Sequence, residues 1–351
     1  MKDEHPADEL EGRKGYILAT VVYEYIATAE PVGSQTLTQK YNLGVSSATV
    51  RNELAELEAG GYLVQPHTSA GRIPSDAGYR AYVDRLMRPE TLGEDERRRI
   101  REELRNASRE LGEVIEHATR LLGRLANNLA FITKPQADTQ LFRHIQLVWL
   151  SPRTGMAIVV TSLGVTVQHL FELGRDMEPD ELTRLSNALN ARCANRPLRE
   201  VCEAEVRAVC DELRAGDDLR GVVLDAIERA RSDEAPEIAA AGTQHLLDQP
   251  EFRDLRKLRS ILRIVEEQKT LYDLIADAMT AQSPSVKIGH ELGDEEFSDL
   301  SIVTVPYRFG PRAVGMLSIL GPRRMNYGRL MALAEGTAQT LSERLADVEI
   351  A

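Results

Sequence analysis

The 351-residue chain has few of the groups that usually announce chemistry. It holds three cysteines, Cys193, Cys202 and Cys210, at spacings that match no metal-ligand pattern. All three fall in a region of helical pattern, where a free thiol is ordinarily a small buried hydrophobe. None of its seven histidines forms a His-x-x-x-His or His-Glu-x-x-His pair, so a zinc site is not expected. His67 and Ser69 are sequence neighbours, which is no nucleophile–base arrangement, because a nucleophile needs its base folded over it and oriented by an acid. These absences exclude the common hydrolase and metalloenzyme designs, and no cofactor is expected. Aromatics make up only 5% of residues, so the cores must be built from Leu, Val, Ile and Ala. No apolar run reaches the roughly 20 residues of a membrane span, and the opening MKDEHPADEL has no apolar signal core. A cytoplasmic protein is the expectation.

Positive charge is also short. The formal net charge is −12, which argues weakly against nucleic acid as a partner of the whole chain. Its distribution matters more. Between Gly12 and Arg88, eight basic and seven acidic residues leave a net +1. The rest of the chain is therefore strongly acidic, while this segment is nearly neutral.

That N-terminal segment is a dense alternation of short helices and turns. Ile17, Leu18, Val21, Val22, Tyr25 and Ile26 form one apolar face, and Pro31 stops the helix. A short second helix runs from Val32 to Tyr41, and Asn42-Leu43-Gly44 turns the chain. Ser46 suits an N-cap, and Val50, Leu54 and Leu57 then form a buried stripe at i, i+4 and i+7. The opposite face carries Ala48, Asn52 and Ala55, flanked by Thr49 and Arg51. Small residues there permit close approach to a groove, while Arg and Asn make paired hydrogen bonds to guanine and adenine edges. Gly60-Gly61 stops the helix. A strand from Tyr62 to Gln65, a loop from His67 to Gly71, and a strand begun at Arg72-Ile73 and stopped by Pro74 complete a hairpin. A helix-turn-helix followed by such a hairpin is a winged helix, a DNA-reading module. The candidate DNA contacts are Ser46, Ser47, Ala48, Thr49, Arg51 and Asn52 of the recognition helix. Ser34 and Gln35 come from the preceding helix, and His67, Thr68, Ser69, Gly71 and Arg72 from the wing. The alternatives are a winged helix serving a protein partner, an Arg51 that merely pairs with Glu30 or Glu58, and an Asn52 that merely solvates the surface.

Beyond this module, residues 92–130 read as one long helix from the spacing of Ile100, Leu104, Leu111, Ile115, Ala118, Leu122, Leu125 and Leu129. The charged run EDERRRIREELR within it reads as a solvated face. HIQLVWL, GMAIVVT and VTVQHLFEL read as a three-stranded antiparallel meander. Helical patterning returns over 179–231 and again over 237–281, with a boundary expected at Ser232 to Pro236. VKIGHEL, LSIVTVPYRF and AVGMLSILG are expected strands, with Met316, Leu317 and Ile319 in the sheet core. An amphipathic helix runs from Tyr327 to about Asp347. The turns Gly310-Pro311-Arg312 and Gly321-Pro322-Arg323-Arg324 are expected to expose their arginines. Binding of an anionic effector at Arg323 and Arg324 is the sharper alternative.

The run from Pro31 to Asp84, PVGSQTLTQKYNLGVSSATVRNELAELEAGGYLVQPHTSAGRIPSDAGYRAYVD, resembles the DNA-binding domain of the HrcA family of heat-inducible transcription repressors. AGTQHLLDQPEF (Ala241 to Phe252), VKIGHE (Val286 to Glu291) and Ser301 to Leu330 resemble family segments in the same order. Arg323 and Asn326 stand where the family favours Thr and Asp. The resemblance implies an α+β chain of three domains. These are a winged helix-turn-helix (12–90, after a disordered tail at 1–11), a split GAF-like α+β domain (91–140 and 236–351), and an inserted dimerisation domain of three strands and four helices (141–235). It implies a homodimer that binds an inverted-repeat operator of the CIRCE type, represses chaperone operons, and is supported by the GroEL chaperonin. Three other readings stand beside it: a metabolite-gated regulator using its GAF-like domain, an enzyme on that fold, and a chaperone-binding adaptor that never meets DNA.

Overall fold

The computed structural model describes residues 10, 12–68, 70–105, 110–135, 141–162, 166–201, 203–231, 237–253, 255–310 and 312–349. The N-terminal head is α1 (Arg13–Thr28), α2 (Ser34–Lys40), α3 (Ser47–Ala59), the two-residue strands β1 (Leu63–Val64) and β2 (Ile73–Pro74), and α4 (Asp76–Ala81). Its core is the stripe read from the sequence: Val50, Leu54 and Leu57 are 0%, 1% and 3% exposed, and they pack with Ile17, Leu18, Val21 and Val22. Ser46 caps α3 by accepting the Thr49 amide at 3.2 Å, and Gly61 follows the helix at φ 80°, a conformation that suits glycine. The wing strands are shorter than expected, and Pro74 lies inside β2, tolerated because a two-stranded hairpin is all edge. Of the expected disordered tail, only Leu10 is described, and it is buried against the head.

The long helix expected over 92–130 is instead α5 (Glu94–Arg105) and α6 (Leu111–Ala126), followed by a strand, β3 (Leu129–Thr133). Asn127 ends α6 in the left-handed region at φ 50°, its N–H bonded to the Gly123 carbonyl. Leu129 thus leaves the helical stripe and enters a strand whose five residues are all buried. A short apolar run of this kind satisfies both a helix and a central strand, and only pairing decides.

The meander is present as β4 (Phe142–Trp149), β5 (Thr154–Thr161) and β6 (Thr166–Glu172), paired antiparallel in that order. It is followed by α7 (Pro179–Cys193), a 3-10 turn at Leu198–Glu200, α8 (Glu203–Leu213) and α9 (Asp217–Arg231). Helices α7 and α9 cover one face of this sheet, and Phe142, Leu147, Ala157, Val159, Leu185, Val223 and Ile227 form a core of its own. Cys193 and Cys210 are buried in it, as small hydrophobes should be; Cys202 lies outside the described residues.

The stretch expected to be helical over 237–281 opens with a strand, β7 (Ile238–Ala241), before α10 (Thr243–Leu247), α11 (Leu255–Glu266) and α12 (Gln268–Ala281). The expected boundary at Ser232 to Pro236 lies outside the described residues. Then come β8 (Ser285–Ile288), β9 (Leu300–Phe309), β10 (Arg312–Pro322) and α13 (Tyr327–Glu349). Strands from both sides of the meander lobe build one antiparallel sheet, ordered β7-β3-β10-β9-β8. Helices α6 and α13 pack on one face; α11 and α12 lie on the other, with Phe131, Leu274, Ile275, Ile302 and Met316 between. Met316, Leu317 and Ile319 are at most 2% exposed. The apolar core of the head is continuous with the α6/α13 layer. Among the described residues, no helix is long and apolar enough to cross a membrane, and no cluster of His, Cys, Asp and Glu is arranged to hold a metal ion.

Candidate nucleic-acid interface

The first turns of α3 present Ala48, Arg51 and Asn52 as exposed residues, with Thr49 half-buried. Arg51 and Asn52 have no side-chain hydrogen bond or ion pair among the described residues, so Arg51 pairs with neither Glu30 nor Glu58 there. The acids of the same helix are all engaged from behind. Arg13 of α1 donates to Glu53 through Nε at 2.9 Å, Lys14 meets Glu56 at 2.7 Å, and Arg72 of the wing donates to Glu58 through Nε at 3.0 Å. The nearly neutral charge of the head is therefore unevenly arranged. The carboxylates of α3 are each matched by a cation, and the guanidinium of Arg51 is exposed without a partner among the described residues.

The other predicted residues divide by what holds them. Ser46 and Thr49 are joined as cap and capped residue, with their hydroxyls 3.0 Å apart. Ser34 is buried, and its hydroxyl lies 3.0 Å from that of Ser47, which ties the start of α2 to the start of α3. Gln35 is exposed without a described side-chain partner. His67 and Thr68 are exposed on the wing, whose turn is drawn in by the Gln65 amide donating to the Thr68 and Ala70 carbonyls at 3.2 and 2.9 Å. Ser69 lies outside the described residues. Gly71 has a packing reason: a Cβ there would stand 2.5 Å from the carbonyl carbon of Val32. That approach lets Val32 and Arg72 exchange two backbone hydrogen bonds of 2.9 Å, fastening the wing to the entry of α2. Arg72 is only 17% exposed, its guanidinium engaged with Glu58 rather than standing free.

The α1–α2 corner is set by Glu24, a buried carboxylate bonded by Lys40 and, at 2.8 Å, by the Tyr41 hydroxyl. The bonds from Lys40 and Tyr41 hold Glu24 below the usual carboxylate range. Burial, and then the bond to Glu24, push Tyr41 up to about 12.

One polar cluster was not legible beforehand. Arg323 and Arg324 are not exposed turn arginines. Arg323 donates to Asp76 at 2.7 Å and Asp299 at 3.2 Å, while Arg324 binds Glu251, Gln249 and the Ile26 carbonyl. Both join the head to the body, and neither is left free for an anionic effector.

Comparison with known proteins shows the family over nearly the whole chain. Residues 112–331 match the family described as HrcA protein C terminal domain. The chain is 37% identical over 338 residues to a heat-inducible transcription repressor HrcA of Pelotomaculum thermopropionicum, covering 96% of this chain and 97% of that one. It is 35% identical over 337 residues to one of Geobacter sulfurreducens, covering 96% and 98%. A crystal structure of a hypothetical protein at 2.2 Å resolution shares the fold, with TM-score 0.59, 24% identity and coverage of 96% of this chain and 99% of that chain.

Proposed function

The chain belongs to the HrcA family of heat-inducible transcription repressors, a family of DNA-binding regulators and not of enzymes, and from that premise we propose that it acts as a homodimer on an inverted-repeat operator of chaperone operons. The observation that carries the DNA reading is the free face of α3: small residues beside an unpaired Arg51 and Asn52, over a wing tied back by Gly71. Arg51 and Asn52 read base edges, and His67, Thr68 and Ser69 approach phosphate or the adjacent minor groove. Ser46, Ser47, Thr49 and Ser34 hold the start of the helix in position, with backbone amides toward the phosphates. Ala48 permits close approach, and Gln35 lies beside the DNA backbone. Arg72 reaches phosphate by exchanging Glu58 for it.

The family's dimerisation role falls to the lobe of 141–235. The outward face of its sheet is half-exposed to exposed in the monomer and mixed in character, an apolar group standing beside Gln146, Gln168, His144 and Thr166. Val148, Met156 and Leu170 stand side by side across the three strands, next to Ile158 and Val160. Leu170 is 64% exposed. Pairing through the β4 edge is disfavoured, because the Ser186 hydroxyl accepts the Leu147 amide and the Asn190 side chain bonds both the amide and the carbonyl of Ile145. The face remains for a second copy. Two-fold pairing there gives two recognition helices and matches an inverted repeat.

The body (91–140 and 236–351) takes the part of the split GAF-like domain, its sheet assembled from both segments. A cavity of about 260 Å³ between α12 and β10, lined by Tyr272, Met279, Gln282, Val314 and Met316, is where the metabolite-gated alternative would place its effector. Among the described residues no charged side chain lines it, and an uncharged metabolite that raises thermal stability would favour that reading. Support by the GroEL chaperonin is consistent with a body completed only after the inserted lobe has been made, since such non-local pairing is slow and exposes apolar strands. The cytoplasm is the compartment in which both partners are met.

A mobility-shift titration on an inverted repeat and on scrambled DNA, at two salt concentrations, tests the proposal. Preference for the inverted repeat, with the non-specific part falling steeply in salt, is expected. Equal affinity for both DNAs at both salts would sink it.

A further inference from the structure

Three sequence segments that the DNA-reading face leaves unused converge at one place. They are the start of α4, the turn that follows β8, and the loop between β10 and α13. Asp76 and Arg80 lie four residues apart on one side of α4, with Tyr79 between them. Across the junction, the Asp76 carboxylate accepts the His290 amide at 3.1 Å, meets the His290 ring Nδ1 at 2.6 Å, and accepts Arg323 at 2.7 Å. Arg80 binds Glu291 with two nitrogens, one at 2.8 Å, and donates to the Val286 carbonyl at 2.6 Å. The residue that makes room is Gly289. It has φ 54°, and a Cβ there would lie 2.2 Å from an Asp76 oxygen. Behind these bonds, Tyr79 and Tyr327, both buried, meet edge to face with centroids 6.0 Å apart.

The two kinds of contact do different work. The Tyr79–Tyr327 contact is apolar and fixes nearness but little else, because burial has no preferred direction. The charge-assisted bonds around it are directional, and the Arg80–Glu291 fork sets an angle as well as a distance. We propose that Asp76, Arg80, His290, Glu291 and Arg323 form a head–body latch that sets the rotation of the reading head, and thereby the half-site spacing the dimer accepts. These are positioning residues: none lies on the DNA-reading face of α3, and they act through where that face is held. The inference rests on the dimeric repressor reading. Without the latch the head stays attached through its apolar contacts and the bond from Arg324 to the Ile26 carbonyl, which together leave it able to turn about Tyr79, so the two recognition helices no longer hold one separation.

The test uses the full-length protein and inverted repeats whose central spacer is changed by one and by two base pairs. One base pair moves a half-site by about 3.4 Å and turns it by about 35°. The wild type should lose about tenfold or more in affinity per changed base pair. Asp76→Asn with Arg80→Gln should compress the whole series to within about threefold, while affinity for an isolated half-site stays within about twofold of wild type. Glu291→Gln lies in the body and leaves the head sequence intact, so any flattening it causes must pass through the contact. Circular dichroism confirms that each variant is folded. The latch is overturned if both variants keep the wild-type spacing profile, or if either binds the optimal operator more tightly than wild type does, since the contact would then be holding the heads out of register. A wild type that ignores spacing and sequence alike overturns the repressor reading and the latch with it; a selective wild type with equally selective variants overturns the latch alone.

Discussion

Replacing Gly71 by alanine separates a structural role in the wing from a direct role at the DNA. The added methyl group would sit 2.5 Å from the Val32 carbonyl carbon and 2.6 Å from its oxygen. Ordinary carbon contacts are about 3.5–4.0 Å, so the two backbones must part by about 1 Å. Both Val32–Arg72 hydrogen bonds are 2.9 Å, and such a shift takes them past the useful limit of about 3.2 Å. At about 0.5–1.5 kcal/mol each, losing the pair costs about 1–3 kcal/mol of local stability. That is roughly a tenfold to hundredfold rise in local opening, at about 1.4 kcal/mol per decade. The sole tryptophan, Trp149, lies in the meander lobe and does not report on the head. Amide hydrogen exchange at Val32 and Arg72, the two donors, is therefore the assay. DNA binding should weaken by a similar factor for operator and scrambled sequences, because glycine offers no side chain to a base. Unchanged protection at both amides together with a selective loss of operator binding would refute this reasoning and make Gly71 a direct contact.

Arg51→Ala and Asn52→Ala should each cost about 1–3 kcal/mol of discrimination between operator and scrambled DNA, read by competition mobility shift; retained discrimination removes them from the reading face. Ile158→Glu places a charge in the middle of the outward sheet face and should shift the protein to monomers in sedimentation analysis with its circular dichroism unchanged; a persistent dimer moves the interface elsewhere. Tyr79→Phe should stabilise the head by about 1 kcal/mol, because the buried Tyr79 hydroxyl has no described partner and an unsatisfied group costs about 1–3 kcal/mol. A loss of stability in chemical denaturation would show that the hydroxyl is satisfied. Acidification should loosen the head. The bonds from Lys40 and Tyr41 hold Glu24 low, and for Asp76 burial pushes the carboxyl up but the bonds from His290 and Arg323 outweigh it. Both carboxyls are thus depressed on folding. Their stabilisation is whole above the ordinary carboxylate value of about 4 and is lost as pH falls below it. Amide exchange in α1 and α4 that stays flat between pH 5 and pH 3, once corrected for intrinsic rates, would count against it.

Local patterns carried the head. The stripe of Val50, Leu54 and Leu57, the cap at Ser46 and the stop at Gly60-Gly61 are all written within fifteen or so residues of one another, and helical geometry alone turns them into a buried face and a free one. The meander was legible for the same reason, since alternation and turn residues are local. Tertiary structure decided the rest. Leu129 continues a helical spacing and the alanines at 239–241 favour helix, yet both segments are strands because β3 and β7 complete each other's backbone bonding beside β10. The use of each charge was settled across the fold as well. Arg72 went to Glu58, while Asp76 met His290 and Arg323 across separations of 214 and 247 residues. A sequence specifies which side chains can pair; which of many equivalent carboxylates a given arginine meets depends on where packing brings the backbone.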